Sequence, residues 1–210
     1  MSSGTLRETV TNRLQQGFDA VYWMLIVNVL VIVFTLAGGI VLGAAPAIIA
    51  GTELTRRRAD GRLFPILRTF ARVWRAEFWR ANGLLMPFGV AAGILIIDIA
   101  WFRANGPLGT AGILAVAALV IVATLGSLTA GLYVNYEMPF RAYIVRAARW
   151  SLGNLPHVLL LGLTLVLFCG ATYALPGLLP FLTIGGLVVV PARLCTAFFR
   201  SNERLLAEQP

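Results

Sequence analysis

Few residues of this 210-residue chain are of types that do chemistry, and their spacing points away from catalysis. His157 is the only histidine, and no Ser, Cys or Asp stands near it at the spacing of a nucleophile and its base. No group of His, Cys and carboxylate has metal-ligand spacing, and no Walker, dinucleotide or G-x-S-x-G motif occurs. Cys169 and Cys195 lie inside apolar runs and read as small buried hydrophobes, not as a disulfide. The expectation is therefore no enzyme, no catalytic residue, no cofactor and no metal. What remains is a handful of polar groups in or beside apolar segments: Asn28, Glu77, Asp98 and Glu137. An amide in mid-span needs a partner helix, so Asn28 reads as structural glue. Asp98, near the end of its span, is within reach of Arg103. Glu77 falls on the apolar side of a basic helix, beside Phe70 and Val73, and needs a partner.

The elements that must position these groups are apolar. The chain is 59% hydrophobic and only 12% charged, with mean hydropathy +0.82. A soluble domain carries about 25% charged residues, so the composition places this chain in lipid as one all-α, polytopic transmembrane domain over residues 1–210. All seventeen basic residues are arginine, which together with the Ala, Gly, Val and Leu content reads as a GC-rich bacterium. These arginines fall between apolar runs, as positive-inside anchoring and contact with anionic lipid require, and not as a nucleic-acid surface. No cleavable signal peptide is visible in the polar start MSSGTLRETVTNRLQQG. Leu6, Val10 and Leu14 suggest a short interfacial helix there.

Eight of the seventeen arginines lie between Arg56 and Asn82, with long apolar segments on both sides. That stretch belongs on the cytoplasmic face. The 37 apolar residues before it, Phe18 to Leu54, exceed one span of about 20 residues. A split at Gly38, Gly39 and Gly43 gives a span near 18–37 and a short helix near 45–58, with Pro46 in its first turn. Further spans follow near 83–101, 108–132, 156–174 and 178–199, the last carrying Pro191 and Gly185-Gly186. This predicts about six helices, five as the alternative, with both termini cytoplasmic in a bacterial inner membrane. Two amphipathic basic helices, 62–82 and 140–155, lie at the cytoplasmic interface. On the first, Leu63, Ile66, Leu67, Phe70, Val73, Trp74 and Phe78 share one face, while Arg68, Arg72 and Arg75 face lipid headgroups or a partner.

The two halves echo each other. Ala50-Gly51-Thr52-Glu53-Leu54 and Ala130-Gly131-Leu132-Tyr133-Val134 each lead through a basic helix to an Asn, Asn82 or Asn154, and then a span. Duplications of this kind recur in transporters. In that pairing Arg149 takes the place of Glu77, which predicts a salt bridge from Glu77 to Arg149 or Arg146. Arg80, on the same helix, is the rival partner.

The mid-span Asn28, Gly43 with Pro46-Ala47, the basic turn and the run LFPILRTFARVWRAEFWRANGLL together resemble the YesL-type bacterial membrane proteins, a family of unknown function. The resemblance covers residues 15–105 well and the second half loosely, and the all-Arg helix departs from the family's mixture of Lys and Arg. It implies a multi-span protein encoded beside carbohydrate ABC importers and glycan-degrading enzymes. That makes an accessory or regulatory role in sugar uptake the first expectation, with importer permease subunits, membrane lipids or a second copy as partners. A small stand-alone transporter or channel is the alternative.

Overall fold

The computed structural model describes the backbone of residues 3–175, 177 and 179–207, and side chains within 15–175, 177 and 181–201. The described residues form eight α-helices: α1 (Ser3–Ala37), α2 (Val41–Ala59), α3 (Ile66–Ala76), α4 (Phe78–Ala104), α5 (Thr110–Asn135), α6 (Phe140–Gly153), α7 (Leu155–Ala174) and α8 (Ile184–Ala207), with a π-helical turn at Leu179–Thr183 before α8. No strand occurs among them. The helical membrane bundle expected from composition is thus the fold. Five helical segments are long and apolar enough to cross a bilayer: Gln15–Ala37, Phe78–Ala104, Thr110–Asn135, Leu155–Ala174 and Phe181–Ser201.

α2 is not one of the five. It is a full helix, longer than expected, and it ends in Arg56, Arg57 and Arg58. Except for the half-buried Ile48, every residue from Ala45 to Thr55 is buried, because α1, α3, α4, α5 and α8 all pack against it. Small residues allow that enclosure. A Cβ on Gly43 would lie 2.3 Å from the Thr35 carbonyl oxygen of α1, and one on Gly51 would lie 2.9 Å from Val188 of α8.

Pro46 sits inside α2 and not in its first turn. Proline has no N–H, so the carbonyl four residues back, that of Leu42, loses its helical donor. Asn82 of α4 supplies the replacement, its Nδ2 donating to Leu42 O at 2.8 Å. The break in one helix is therefore the docking point for another. It also fixes where the α1–α2 turn lies. Gly38 approaches Trp74 of α3, and Leu42 sits beside the start of α4. The opposite end of α2 meets the C-terminal part of α8 through Asp60 and Arg200. α1 and α2 run antiparallel, with Gly38 against Gly43 at one end and Trp23 against Thr55 and Arg58 at the other.

The two basic helices are shorter than expected. The segment 62–82 divides at Glu77, which closes α3 and opens α4, so residues 78–82 belong to the span. Phe70 is buried and packs at a tilt against Phe34, with Trp74 alongside, as the apolar-face pattern requires. Leu63 and Leu67 are corrections to that pattern, at 101% and 61% exposed. Leu63 precedes the helix and so escapes its periodicity. The separate interfacial helix expected near the N-terminus is continuous with α1, and its side chains before Gln15 lie outside the described residues.

Candidate functional site

A cavity of about 750 Å³ opens at the arginine-rich end, where α2, α3, α4 and α5 meet the α5–α6 linker. Its most buried charged group is Glu53 on α2, at 9% exposure. Arg56 Nε and Nη2 each donate to the Glu53 carboxylate at 3.0 Å, and Arg57 Nε donates at 2.6 Å. The helical spacings of three and four residues make this possible. The Glu53 hydrogen bonds hold the Arg56 guanidinium above its ordinary pKa against the opposing effect of burial. Asp60 extends the network, 3.9 Å from Arg56 and from Arg62 and hydrogen-bonded to Arg200.

On the facing wall, Glu77 receives a hydrogen bond from the Tyr133 hydroxyl of α5. Tyr143 of α6 shapes the rim: its hydroxyl donates to the Tyr136 carbonyl and accepts from the Met138 N–H, both at 2.9 Å. That pair of bonds pins the linker carrying Glu137. Arg80 and Glu137 complete the charged lining, and neither forms an ion pair among the described residues.

The polar residues singled out by sequence fall in different places. Glu77 and Glu137 line the cavity. Glu77 does face inward, but no arginine of α6 lies within 4.0 Å of its carboxylate, and neither does Arg80. Arg141, Arg146 and Arg149 all point outward from α6, with Arg146 reaching the Met138 sulfur at 2.9 Å. The predicted salt bridge is therefore replaced by the tyrosine, because α5 and not α6 packs against the elbow between α3 and α4. Asn28 is buried on α1 and accepts a hydrogen bond from the Gly185 N–H of α8 at 2.8 Å. A Cβ on Gly185 would meet the Met24 carbonyl oxygen at 2.1 Å, so this glycine permits the closest α1–α8 approach.

Asp98 is exposed and unpaired with Arg103, which instead donates to the Tyr173 hydroxyl at 3.2 Å and lies over its ring. Arg68, Arg72 and Arg75 are exposed and flank a shallow groove with Ala71 and Ala76. Cys195 is buried as expected, whereas Cys169 lies on the outward face of α7 and is exposed. His157 packs between Trp150 and Phe198, with ring centroids 5.9 and 4.4 Å away.

Sequence reasoning missed Glu53, Arg56, Arg57, Tyr133 and Tyr143 as a set. The signal for the first three was present, since a Glu followed at three and four residues by Arg marks one helix face. Tyr133 and Tyr143 carry no local sign of their partners.

Residues 24–99 match a family model described as "Protein of unknown function, DUF624". The chain is 30% identical over 188 residues to "Uncharacterized protein YesV" of Bacillus subtilis (strain 168), spanning 84% of this chain and 86% of that one. It is also 30% identical over 162 residues to "Uncharacterized protein YteU" of the same organism, spanning 75% and 72%. No solved structure matches.

Proposed function

The chain belongs to the DUF624 family, and from that premise we propose that it is an accessory or regulatory membrane protein of a carbohydrate ABC uptake system. It docks through α3 and α6. The observation behind this is the arrangement of six exposed arginines, Arg68, Arg72 and Arg75 on α3 and Arg141, Arg146 and Arg149 on α6. None forms an ion pair among the described residues, and both helices border the same cavity. A one-sign face on two short helices suits a permease surface or anionic headgroups. The carbohydrate assignment, like the YesL-type label, comes from the resemblance alone.

The protein sits in the bacterial cytoplasmic membrane with the arginine-rich end inward. Six crossings would keep both termini cytoplasmic. The antiparallel packing of α1 on α2 supports that, because Trp23, six residues after Gly17, donates to Thr55 and lies under Arg58; five crossings, with residue 17 outside and residue 210 inside, are the alternative. Reporter fusions after Gly17 and Pro210 separate the two, since a cytoplasmic signal from both requires α2 to cross.

Purification of the chain from its native host at native expression, in mild detergent, tests the docking role. Importer permease subunits should accompany it and be lost when all six arginines become Gln; their absence from the parent preparation rejects the role. The cavity favours a second reading, a small stand-alone transporter or channel. Solute flux in proteoliposomes holding this chain alone would select it.

A further inference from the structure

We propose that the cavity at the arginine-rich end binds a small neutral polyhydroxylated molecule, a sugar of one or two rings. This goes beyond the docking role and stands on the cavity alone. Its volume, about 750 Å³, lies in the range of small-molecule sites, roughly 300–1,000 Å³. Its charge is the more informative property. The lining holds three carboxylates, Glu53, Glu77 and Glu137, and three guanidiniums, Arg56, Arg57 and Arg80, so the formal charges cancel.

Internal pairing uses only part of this hydrogen-bonding capacity. Glu53 already accepts three hydrogen bonds from Arg56 and Arg57, and Glu77 uses one oxygen for Tyr133. Left over are the guanidinium of Arg80, the carboxylate of Glu137, the second oxygen of Glu77 and the remaining N–H groups of Arg57. Strong donors and strong acceptors thus face one space with no net charge. An anion would meet Glu77 and Glu137, and a cation would meet Arg80. A hydroxyl donates and accepts at one atom, so a molecule with several hydroxyls satisfies both sets without adding charge. Tyr133 and Tyr143, with ring centroids 5.1 Å apart, and Phe140 add aromatic surface. The electron-rich ring faces attract the weakly positive C–H face of a sugar ring.

The test is calorimetric titration of the full chain in lipid nanodiscs, which avoids detergents with sugar headgroups. The probes are glucose, galactose, xylose, rhamnose, maltose and cellobiose, with glycine betaine and inorganic phosphate as charged comparators. At least one of these sugars should bind saturably in the millimolar range or tighter. Arg80→Gln and Glu137→Gln, both at exposed positions, should each weaken that binding about tenfold while leaving thermal unfolding unchanged. Arg72→Gln, on the outer face of α3, should leave it unaltered. The proposal is overturned if no sugar of the panel binds at millimolar concentration. It is equally overturned if betaine or phosphate binds in their place, or if binding ignores both cavity substitutions. Absence of sugar binding by the parent chain, with permease co-purification intact, rejects this site and spares the docking role. The reverse result does the opposite.

Discussion

The segment α2–α3–α4 and the segment α5–α6–α7 repeat one order of parts: a long helix, a short basic helix and a span. In each, the long helix meets α8 at a glycine. A Cβ on Gly51 would touch Val188, and one on Gly131 would touch Cys195, 2.9 and 2.8 Å away. Two residues beyond each glycine stands a cavity residue, Glu53 in the first segment and Tyr133 in the second. Each short helix starts after a proline in extended conformation, Pro65 or Pro139. Yet α5 is long and apolar enough to cross a bilayer, whereas α2 is enclosed by other helices. The asparagines differ too. Asn82 donates to the Phe78 carbonyl of its own helix and also to Leu42 of α2, whereas the bond found for Asn154 is local, to Trp150. The chain divides at Glu77, five residues before Asn82, but at Asn154 itself. One order of parts therefore carries two roles, and the change of role follows from where Pro46 and the three arginines fall on α2.

Glu53→Ala should widen the difference most. It removes the partner shared by two partly buried guanidiniums, leaving, among the described residues, Arg57 unpaired and Arg56 with Asp60 alone at 3.9 Å, a loss of about 3 kcal/mol. Tyr133→Phe at the matching position should cost only about 1.5 kcal/mol, the low end for a hydrogen bond to a charged group. Thermal unfolding in nanodiscs compares them, and equal losses would erase the distinction between the halves. The glycines come next. Gly131→Ala drives its methyl against the Cβ of Cys195, which no rotamer change can move, at about 1–3 kcal/mol. Gly51→Ala meets a Val188 methyl that can rotate and should cost less. Adding Cys195→Gly to Gly131→Ala should recover part of the loss.

The asparagine comparison is sharper, though smaller. Asn82→Ala leaves the Leu42 carbonyl without a donor, about 1.5 kcal/mol, while Asn154→Ala should cost a few tenths. In a Pro46→Ala background the restored N–H can serve Leu42, so Asn82→Ala should lose most of its effect. An unchanged cost in that background would mean that proline is not what makes Asn82 matter. Smallest in stability are the arginine sets, Arg68, Arg72 and Arg75 to Gln against Arg141, Arg146 and Arg149 to Gln. Neither should shift unfolding measurably, but each should reduce binding to anionic vesicles by about 1 kcal/mol per arginine. A loss confined to one set would make one segment the membrane or partner contact.

Much of the fold was legible because its signals are local. Apolar runs near 18–37, 83–101 and 156–174 lie within helices of the expected order, the run near 108–132 starts two residues before α5, and the outward arginines of α3 follow from helical spacing. The inward placement of Glu77 was also readable. Its partner was not, since Tyr133 lies 56 residues away and only packing of α5 against the α3–α4 elbow brings it near. The enclosure of α2 escaped for a different reason. A helix apolar on all sides looks the same whether lipid or other helices surround it, and only the three terminal arginines hinted otherwise. The salt bridge that the echo predicted did not form, so the echo keeps a common order of parts but no energetic argument for duplication, and reads as two basic, aromatic interface helices that happen to resemble each other.

The enclosure of α2 also constrains how the protein is made. α2 ends at Ala59, while α8, which closes over Gly51, begins at Ile184. A ribosome therefore delivers the helix long before its last neighbour exists. During that interval the side of α2 that later meets Val188 lacks its protein neighbour. Maturation is consequently a late event set by the arrival of the C-terminal helix. A chain stopped short of α8 leaves that side of α2, with Gly51, without its partner.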